Sequence, residues 1–309
     1  MKDPIELAQV IRSNAVESIH YGHICLLDNR SRIKFWADAN FTCFTRSCIK
    51  PIQAKISKDL LEAELKDEYL AIACGSHMAE EEQMLVVHKF MDKFNISASE
   101  IQCGSLSNSR GELSSNLKHN CSAKHIAIIA ACKKQGWDSN KYLEAEHPYN
   151  QLLLEELKRL SGLKNIQVGN DDCGLPSFYM SLADMAQCFL NMSQDSEYEE
   201  IISTMNKFPF LIGGQKQIDS LLMNKYPNKF LAKGGAEGLM MVCNLENKQS
   251  LIIKIIDGSN RAKAVITSKV LEELGWIDEA ILQSKTLFDS KSVAIGTIKS
   301  SLNLNFDKD

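Results

Sequence analysis

Short apolar runs bounded by polar residues predict strands near both ends of the chain. Polar residues separate the runs within each end, as in the turn-like segment 28–31, so each end is predicted to form an antiparallel hairpin. A last strand-like run follows the second hairpin. The predicted strands are residues 23–27, 33–37, 238–245, 250–256 and 293–298.

The first apolar residues allow two interpretations. A helix could begin at Asp3 and Pro4, with Leu7 and Val10 on its buried face. Ile5 and Leu7 also alternate with polar neighbours, as they would in a strand. The pattern of these residues alone does not decide between the two.

The middle of the chain has helical periodicity. In residues 80–94, apolar side chains recur at steps of three and four. Further helices are predicted at residues 122–135, 148–160, 181–192, 199–207 and 259–274. Strands from both ends would form one antiparallel sheet, with the helices inserted between its halves. The prediction is a single α+β domain over 1–309, with the sheet in about 1–45 and 229–309 and the helical region in about 46–228.

Composition narrows the class of protein. The 309 residues are 44% hydrophobic and carry a formal net charge of −4, which suits a globular protein and neither nucleic acid nor anionic membranes as a partner. The chain shows neither a signal peptide nor an apolar run that could span a bilayer. Its ten cysteines are scattered. We expect reduced thiols and a cytoplasmic location.

Two segments carry residues suited to nucleophilic catalysis. Ser47 and Lys50 are three residues apart, so both lie on one face if a helix begins here, and a neutral lysine can accept the serine proton. Ser76 follows an apolar run and is either a helix cap or a second hydroxyl in the site, paired with a lysine such as Lys233. Ser-x-x-Lys also occurs by chance. However, the glycines after Lys233 stand where serine β-lactamases carry Lys-Thr-Gly, and matches in that order favour catalysis.

A third group of residues suggests a metal. Cys121 and Lys124 would project from one helix face with His125 beside them, and a distant Cys173 follows Asp171 by two positions. Cysteine thiolates and nitrogen ligands suit zinc, although the spacing is not that of a zinc finger. The alternative is that these cysteines are small buried residues.

Together these segments resemble the asparaginase II family, of the rhizobial thermolabile (class 3) type, over nearly the whole chain. The matching residues are Glu17, Ser18, His20 and Gly22, the block 46–53, Ser76 and His77, the block 120–125, Asp171, Cys173 and Gly174, the block 233–238, and a last block of Asp257, Gly258, Arg261 and Ala262. Seven blocks in one order make the resemblance specific.

The resemblance implies a fold like that of serine β-lactamases and serine glutaminases, with a strand as the first segment. It also implies hydrolysis of L-asparagine to L-aspartate and ammonia, and a homodimer. Two serine–lysine pairs are implied, Ser47 with Lys50 and Ser76 with Lys233. By the same resemblance, Zn²⁺ would be held by Cys121, Lys124 and Cys173.

The expected substrate carries both signs of charge. Arg46 is the candidate partner of its α-carboxylate, Asp171 of its α-ammonium group, and His125 of either end. The chain departs from the family pattern at Ala123 and Asp172, where the family has glycine. It departs again after Ser76-His77, with Ala79, Glu80 and Gln83 in place of Gly, Glu and a later His.

Two other functions remain open on the sequence. One is a different serine–lysine hydrolase, such as a glutaminase or a β-lactam-reactive enzyme, because one methylene in a substrate changes binding by only about 1–3 kcal/mol. The other is a non-catalytic protein that binds an amino acid or zinc. The intact Ser47, Lys50, Ser76 and Lys233 argue against the second.

Overall fold

The computed structural model describes residues 2–30, 32–105 and 115–304. Numbered in chain order, its strands are β1 Ile5–Arg12, β2 Ala15–Asp28, β3 Ile33–Trp36, β4 Thr42–Phe44, β5 Gln167–Asn170, β6 Pro176–Ser181, β7 Phe230–Gly234, β8 Leu239–Asn244, β9 Gln249–Ile255, β10 Ser284–Phe288 and β11 Ala294–Ser300. Its helices are α1 Lys50–Leu61, α2 Asp67–Cys74, α3 Glu81–Phe94, α4 Ser122–Gln135, α5 Pro148–Ser161, α6 Leu182–Gln194, α7 Glu199–Lys207, α8 Pro209–Gly213, α9 Ile218–Lys225 and α10 Lys263–Glu273.

The main sheet is antiparallel and combines both ends of the chain. Its strand order is β10-β11-β1-β2-β9-β8-β7, with β3 pairing the end of β2. Strand β1 lies between β2 and β11, where Ala8 pairs with both His20 and Ser300. The second half of β2 pairs with β9, where Ile24 lies opposite Ile253. The N-terminal and C-terminal strands therefore share one hydrogen-bonded layer.

Along the sequence, most of the helices lie between the N-terminal and the C-terminal strands of this sheet. Helix α6 packs on β2 and β9, and α1 packs against α2, α4 and α5. Two of the predicted helix ends coincide with glycine in the left-handed region, Gly136 after α4 (φ 69°) and Gly162 after α5 (φ 76°). Helix α3 begins with a capping box between Glu80 and Gln83.

The structure confirms the predicted α+β class, with an antiparallel sheet from both ends and an inserted helical region. Both predicted hairpins are present as β2–β3 and β8–β9. The first segment is strand β1, so the helical alternative for it is wrong.

A second, smaller sheet was not predicted. Strands β4, β6 and β5 pair in that order and connect the segment before the helical region to its middle. Residues Thr42–Phe44 therefore belong to this small sheet, whereas the sequence placed them in the main one. Strands β4 and β5 have three and four residues, too few for a period-two pattern to be recognised.

All ten cysteines are free, and nine of them are buried. Over the three described ranges, none of the helices combines the length and apolar character needed to cross a membrane.

Candidate active site

Ser47 and Lys50 lie at the start of the first helix. A single 3-10 turn, Arg46–Ile49, runs directly into α1, and the Lys50 backbone N–H donates to the Ser47 carbonyl. Both side chains are buried. The Lys50 Nζ donates to three oxygens: Gly75 O at 2.6 Å, Ser76 Oγ at 2.9 Å and Asn120 O at 3.1 Å. Both residues lie in the described range 32–105, and their side chains form no direct hydrogen bond with each other.

Ser76 lies in the loop after α2, and tight packing of that loop fixes its position. Its backbone N–H donates to Ile212 O at 2.7 Å. A Cβ on the preceding Gly75 would stand 2.4 Å from Leu211 O, so this approach requires glycine. Ser76 does not cap α3, which begins after Glu80, and the capping alternative is therefore wrong. Instead, its hydroxyl accepts from Lys50 and from Lys233 Nζ at 3.1 Å.

Lys233 reaches this hydroxyl from strand β7. Its Nζ also donates to Gly234 O at 2.7 Å and lies 3.5 Å from the Asp219 carboxylate. Asp219 is buried and accepts from the Gly234 backbone N–H at 3.0 Å. Burial alone would raise the pKa of Asp219, but the Lys233 charge and the backbone N–H outweigh it and hold that pKa below its ordinary value.

Ser47, Ser76 and Lys233 line one pocket of about 130 Å³. Asn120, Asp219, Asn260 and Lys263 line it as well, and the last three were not predicted from the sequence. A larger cavity of about 320 Å³, beside Leu26 and Trp276, contains none of the predicted site residues. The small pocket is therefore the candidate active site.

Burial lowers the pKa of Lys50 to about 8, and the charges of Lys124 and Lys233 act in the same direction. At pH 7 roughly a tenth of Lys50 would then be neutral. A lysine with that pKa can act as a base near neutral pH.

Arg46 and Asp171 are bonded to each other. The Arg46 Nε donates to Asp171 Oδ1 at 2.7 Å, and its Nη2 donates to the exposed Asp172 carboxylate. The guanidinium is thus compensated by two carboxylates. Neither Arg46 nor Asp171 lines the pocket, and Arg46 lines a separate cavity of about 210 Å³. Asp172, which replaces the family's glycine, is part of this ion pair. The predicted substrate contacts of Arg46 and Asp171 stay predictions.

His125 is buried in α4, and its Nδ1 is 2.6 Å from the Tyr142 hydroxyl. Burial, with the Lys124 charge, holds its pKa well below the ordinary value, so the ring is neutral. Nearby, the His77 ring lies 2.8 Å from Ser122 Oγ. Since His77 Nδ1 accepts from the Ala79 backbone, its Nε2 carries the proton and donates to Ser122. His125 does not line the pocket, and its predicted contact with substrate stays a prediction.

The three predicted zinc ligands converge in the interior. Lys124 Nζ is 3.3 Å from Cys173 Sγ, and the Lys124 charge acts on both Cys121 and Cys173. Interaction with the Cys173 thiol, together with the Lys124 and Lys50 charges, outweighs burial and holds the pKa of the Cys121 thiol well below its ordinary value. Within the described residues, no group of three or more His, Cys, Asp or Glu side chains could hold a metal. Two thiols and an amine nevertheless form a donor set that suits zinc.

Two further blocks of the resemblance meet outside the pocket. The Arg261 Nε donates to His20 Nε2 at 2.9 Å, and its Nη2 donates to Ser18 Oγ at 2.7 Å. Because His20 Nε2 accepts, its Nδ1 carries the proton and donates to Asp257 at 2.6 Å. These bonds fasten the segment before α10 to strand β2. That segment includes Asn260, which lines the pocket.

Comparison with known proteins agrees with the resemblance. A family model described as L-asparaginase II matches residues 8–299. No curated protein sequence matches the chain. Among solved structures, the chain is similar to a β-lactamase from Mycobacterium bovis (TM-score 0.46, 11% identity, 82% of this chain and 94% of that chain covered). It is also similar to a Bacillus glutaminase (TM-score 0.44, 13% identity, 84% and 92% covered).

Proposed function

The chain belongs to the L-asparaginase II family, and on that premise we propose that it hydrolyses L-asparagine to L-aspartate and ammonia through a serine acyl-enzyme. The family supports an amidohydrolase. The observation that carries the mechanism is the Ser76 hydroxyl, which is held between Lys50 and Lys233 in a pocket that Ser47 also lines.

In the proposed first step, Ser47 Oγ attacks the side-chain amide carbon, and its proton passes to neutral Lys50. The carbonyl becomes an oxyanion, which the Ser47 backbone N–H at the start of its turn can stabilise. General-base assistance of this kind typically accelerates a reaction by about 10²–10⁴-fold. The lowered pKa of Lys50 supports its role as the base.

Collapse of the oxyanion then breaks the carbon–nitrogen bond. The leaving nitrogen needs a proton, and Ser76 can donate its own while it receives one from Lys50 or Lys233, since both lysines contact its hydroxyl. Ammonia leaves, and water attacks the acyl ester with the same groups acting in reverse. Ser76 therefore connects the two lysines as a proton relay.

For the substrate's charged ends, Arg46 and Asp171 stay the predictions made from the sequence. Each of them already has a protein partner, so each would have to exchange that partner for a substrate group. His125 is neutral and hydrogen-bonded to Tyr142. It would act on the substrate indirectly, by holding the segment of Tyr142 in place.

Zinc belongs to the proposal as a structural component. Cys121, Lys124 and Cys173 would hold it, and once bound it would tie α4 to the loop of Cys173. Lys124 must lose its proton to be a ligand, so binding should weaken as pH falls. The adjacent Asn120 accepts from Lys50, which links this region to the pocket wall.

Ammonia release from L-asparagine and L-glutamine tests the proposal. We expect the wild type to release ammonia from L-asparagine and Ser47→Ala to release none. Ser220→Ala is the matched control, because this buried hydroxyl has no hydrogen-bond partner within the described chain. A Ser47→Ala protein with full activity would refute the scheme.

Three other outcomes would redirect the proposal. Covalent trapping that survives Ser47→Ala and is lost in Ser76→Ala would move the nucleophile to Ser76. A preference for L-glutamine would instead assign the chain to the serine-dependent glutaminases, with the same catalytic residues. No release from either substrate by folded, zinc-supplied protein would favour a binding protein.

A further inference from the structure

Lys263 is a buried cation of the pocket that the proposed chemistry does not use. It is the first residue of α10, its side chain is 9% exposed, and it lines the pocket with Ser47 and Ser76. Its Nζ donates to Gly235 O at 2.8 Å and to Asn260 Oδ1 at 3.1 Å. Both acceptors are neutral, so neither compensates the charge of the ammonium group.

The other charges of the pocket are already paired. Of the residues described as lining it, Lys233 and Lys263 are cations and Asp219 is an anion. Lys233 lies 3.5 Å from Asp219, and the Asp219 charge also acts on Lys263, so one carboxylate serves two ammonium groups and one positive charge is in excess. A buried positive charge that is only partly compensated is costly, and an anion entering the pocket would relieve that cost.

The geometry also leaves this ammonium open to a ligand. A Cβ built on Gly234 would stand 3.2 Å from Lys263 Nζ and 3.4 Å from Asp219 Oδ2, so a side chain there would press against both charged groups. Glycine at this position keeps the approach free. Arg46, by contrast, is compensated by Asp171 and Asp172.

We propose that Lys263, with Asn260 beside it, binds the α-carboxylate of the substrate. This inference rests on the proposed function for the identity of the ligand, an α-amino acid amide. It assigns the carboxylate to Lys263 in place of Arg46. The amide Nδ2 of Asn260 is a second possible donor, because its Oδ1 already accepts from Lys263 and from the Gly238 backbone. The contacts of Arg261 with His20 and Ser18 hold the segment that contains Asn260 in place.

Binding measured without turnover tests the assignment. Calorimetric titrations on the Ser47→Ala protein would compare L-asparagine with L-asparaginamide, in which a neutral amide replaces the α-carboxylate. Adding Lys263→Met should weaken L-asparagine binding by about 10- to 150-fold, the range expected for a hydrogen bond to a charged group. L-asparaginamide should change by less than about threefold.

Asn260→Asp is a second variant of nearly the same shape. Its carboxylate would compensate Lys263 and repel the α-carboxylate of the substrate. Binding of L-asparagine should therefore weaken again, whereas binding of L-asparaginamide should not. In steady-state kinetics of the otherwise unmodified enzyme, Lys263→Met should raise KM far more than it lowers kcat.

Several results would overturn the assignment. They are equal weakening of both ligands, unchanged affinity for L-asparagine, and a fall in kcat with KM unchanged, which would show that Lys263 only positions the Gly235 peptide. Failure of the proposed function is distinct. A wild type that releases no ammonia, while L-asparagine binding still depends on Lys263, would refute the asparaginase and retain the carboxylate site.

Discussion

Replacing Asp219 with asparagine should destabilise the fold and not merely impair activity. Asp219 is the carboxylate partner of buried Lys233, and it also accepts from the Gly234 and Ser220 backbone N–H groups. Asp219→Asn keeps the shape and one oxygen acceptor but removes the charge. Breaking a buried pair by removing one partner costs about 3–5 kcal/mol. With an unfolding entropy of about 2.1 cal/mol/K per residue, that corresponds to roughly 5–8 °C in Tm for a chain of this size.

The assay is thermal unfolding at pH 7, with Glu200→Gln as the matched control. Glu200 also pairs with a lysine, Lys58 at 2.9 Å, but its side chain is 50% exposed. Exposed pairs contribute about 0–1 kcal/mol, so the control should shift Tm by roughly 1–2 °C at most.

The pH dependence has a defined sign. The folded-state pKa of Asp219 is depressed, so its contribution is present above the unfolded pKa of about 3.9 and is lost as pH falls through the folded value. The difference in Tm between wild type and Asp219→Asn should therefore disappear only in strong acid. If Asp219→Asn melts with the Glu200→Gln control at pH 7, Asp219 does not compensate a buried charge.

Three further predictions concern catalysis, metal and assembly. Since the neutral fraction of Lys50 rises as the pH passes its pKa of about 8, kcat/KM should rise with pH through that value, and a flat profile between pH 6 and 9 would count against Lys50 as the base. Cys173→Ser should lower the zinc content measured by elemental analysis, whereas Cys188→Ser, which changes another buried thiol, should not. Equal zinc content in the two variants would contradict the assignment of zinc to this site. Light scattering should give about twice the chain mass of 34.6 kDa if the implied homodimer forms, and a monomer would contradict it.

The sequence predicted the parts of the fold that repeat over many residues. Helix α3 has a clear helical period, and β8 and β9 are apolar runs joined by a polar turn, so the structure confirms both predictions. Strands β4 and β5 are too short to show a period, and their pairing with β6 depends on residues more than a hundred positions apart in one case. Local pattern does not contain that information.

The candidate site divides in the same way. The spacing of Ser47 and Lys50 is local and was recognised, whereas the position of Ser76 between two lysines depends on three separate elements. Lys263 did leave a signal in the sequence, because positions 263, 266, 267 and 270 form one stripe of α10 that is otherwise apolar or small. A lysine in a buried stripe indicates a buried partner or a ligand, and that inference was available from spacing alone.

The central position of β1 and β2 in the sheet has a consequence for biosynthesis. During translation β2 emerges early, but its partner β9 begins about 220 residues later. At 5–20 residues per second this delay lasts on the order of 10–45 s. Throughout that time the buried second half of β2 lacks its partner β9, and unpaired strand backbone is a hazard for pairing with other chains. We therefore expect nascent chains that stop before β9 to aggregate or to require chaperones, even though the intervening helices can form locally.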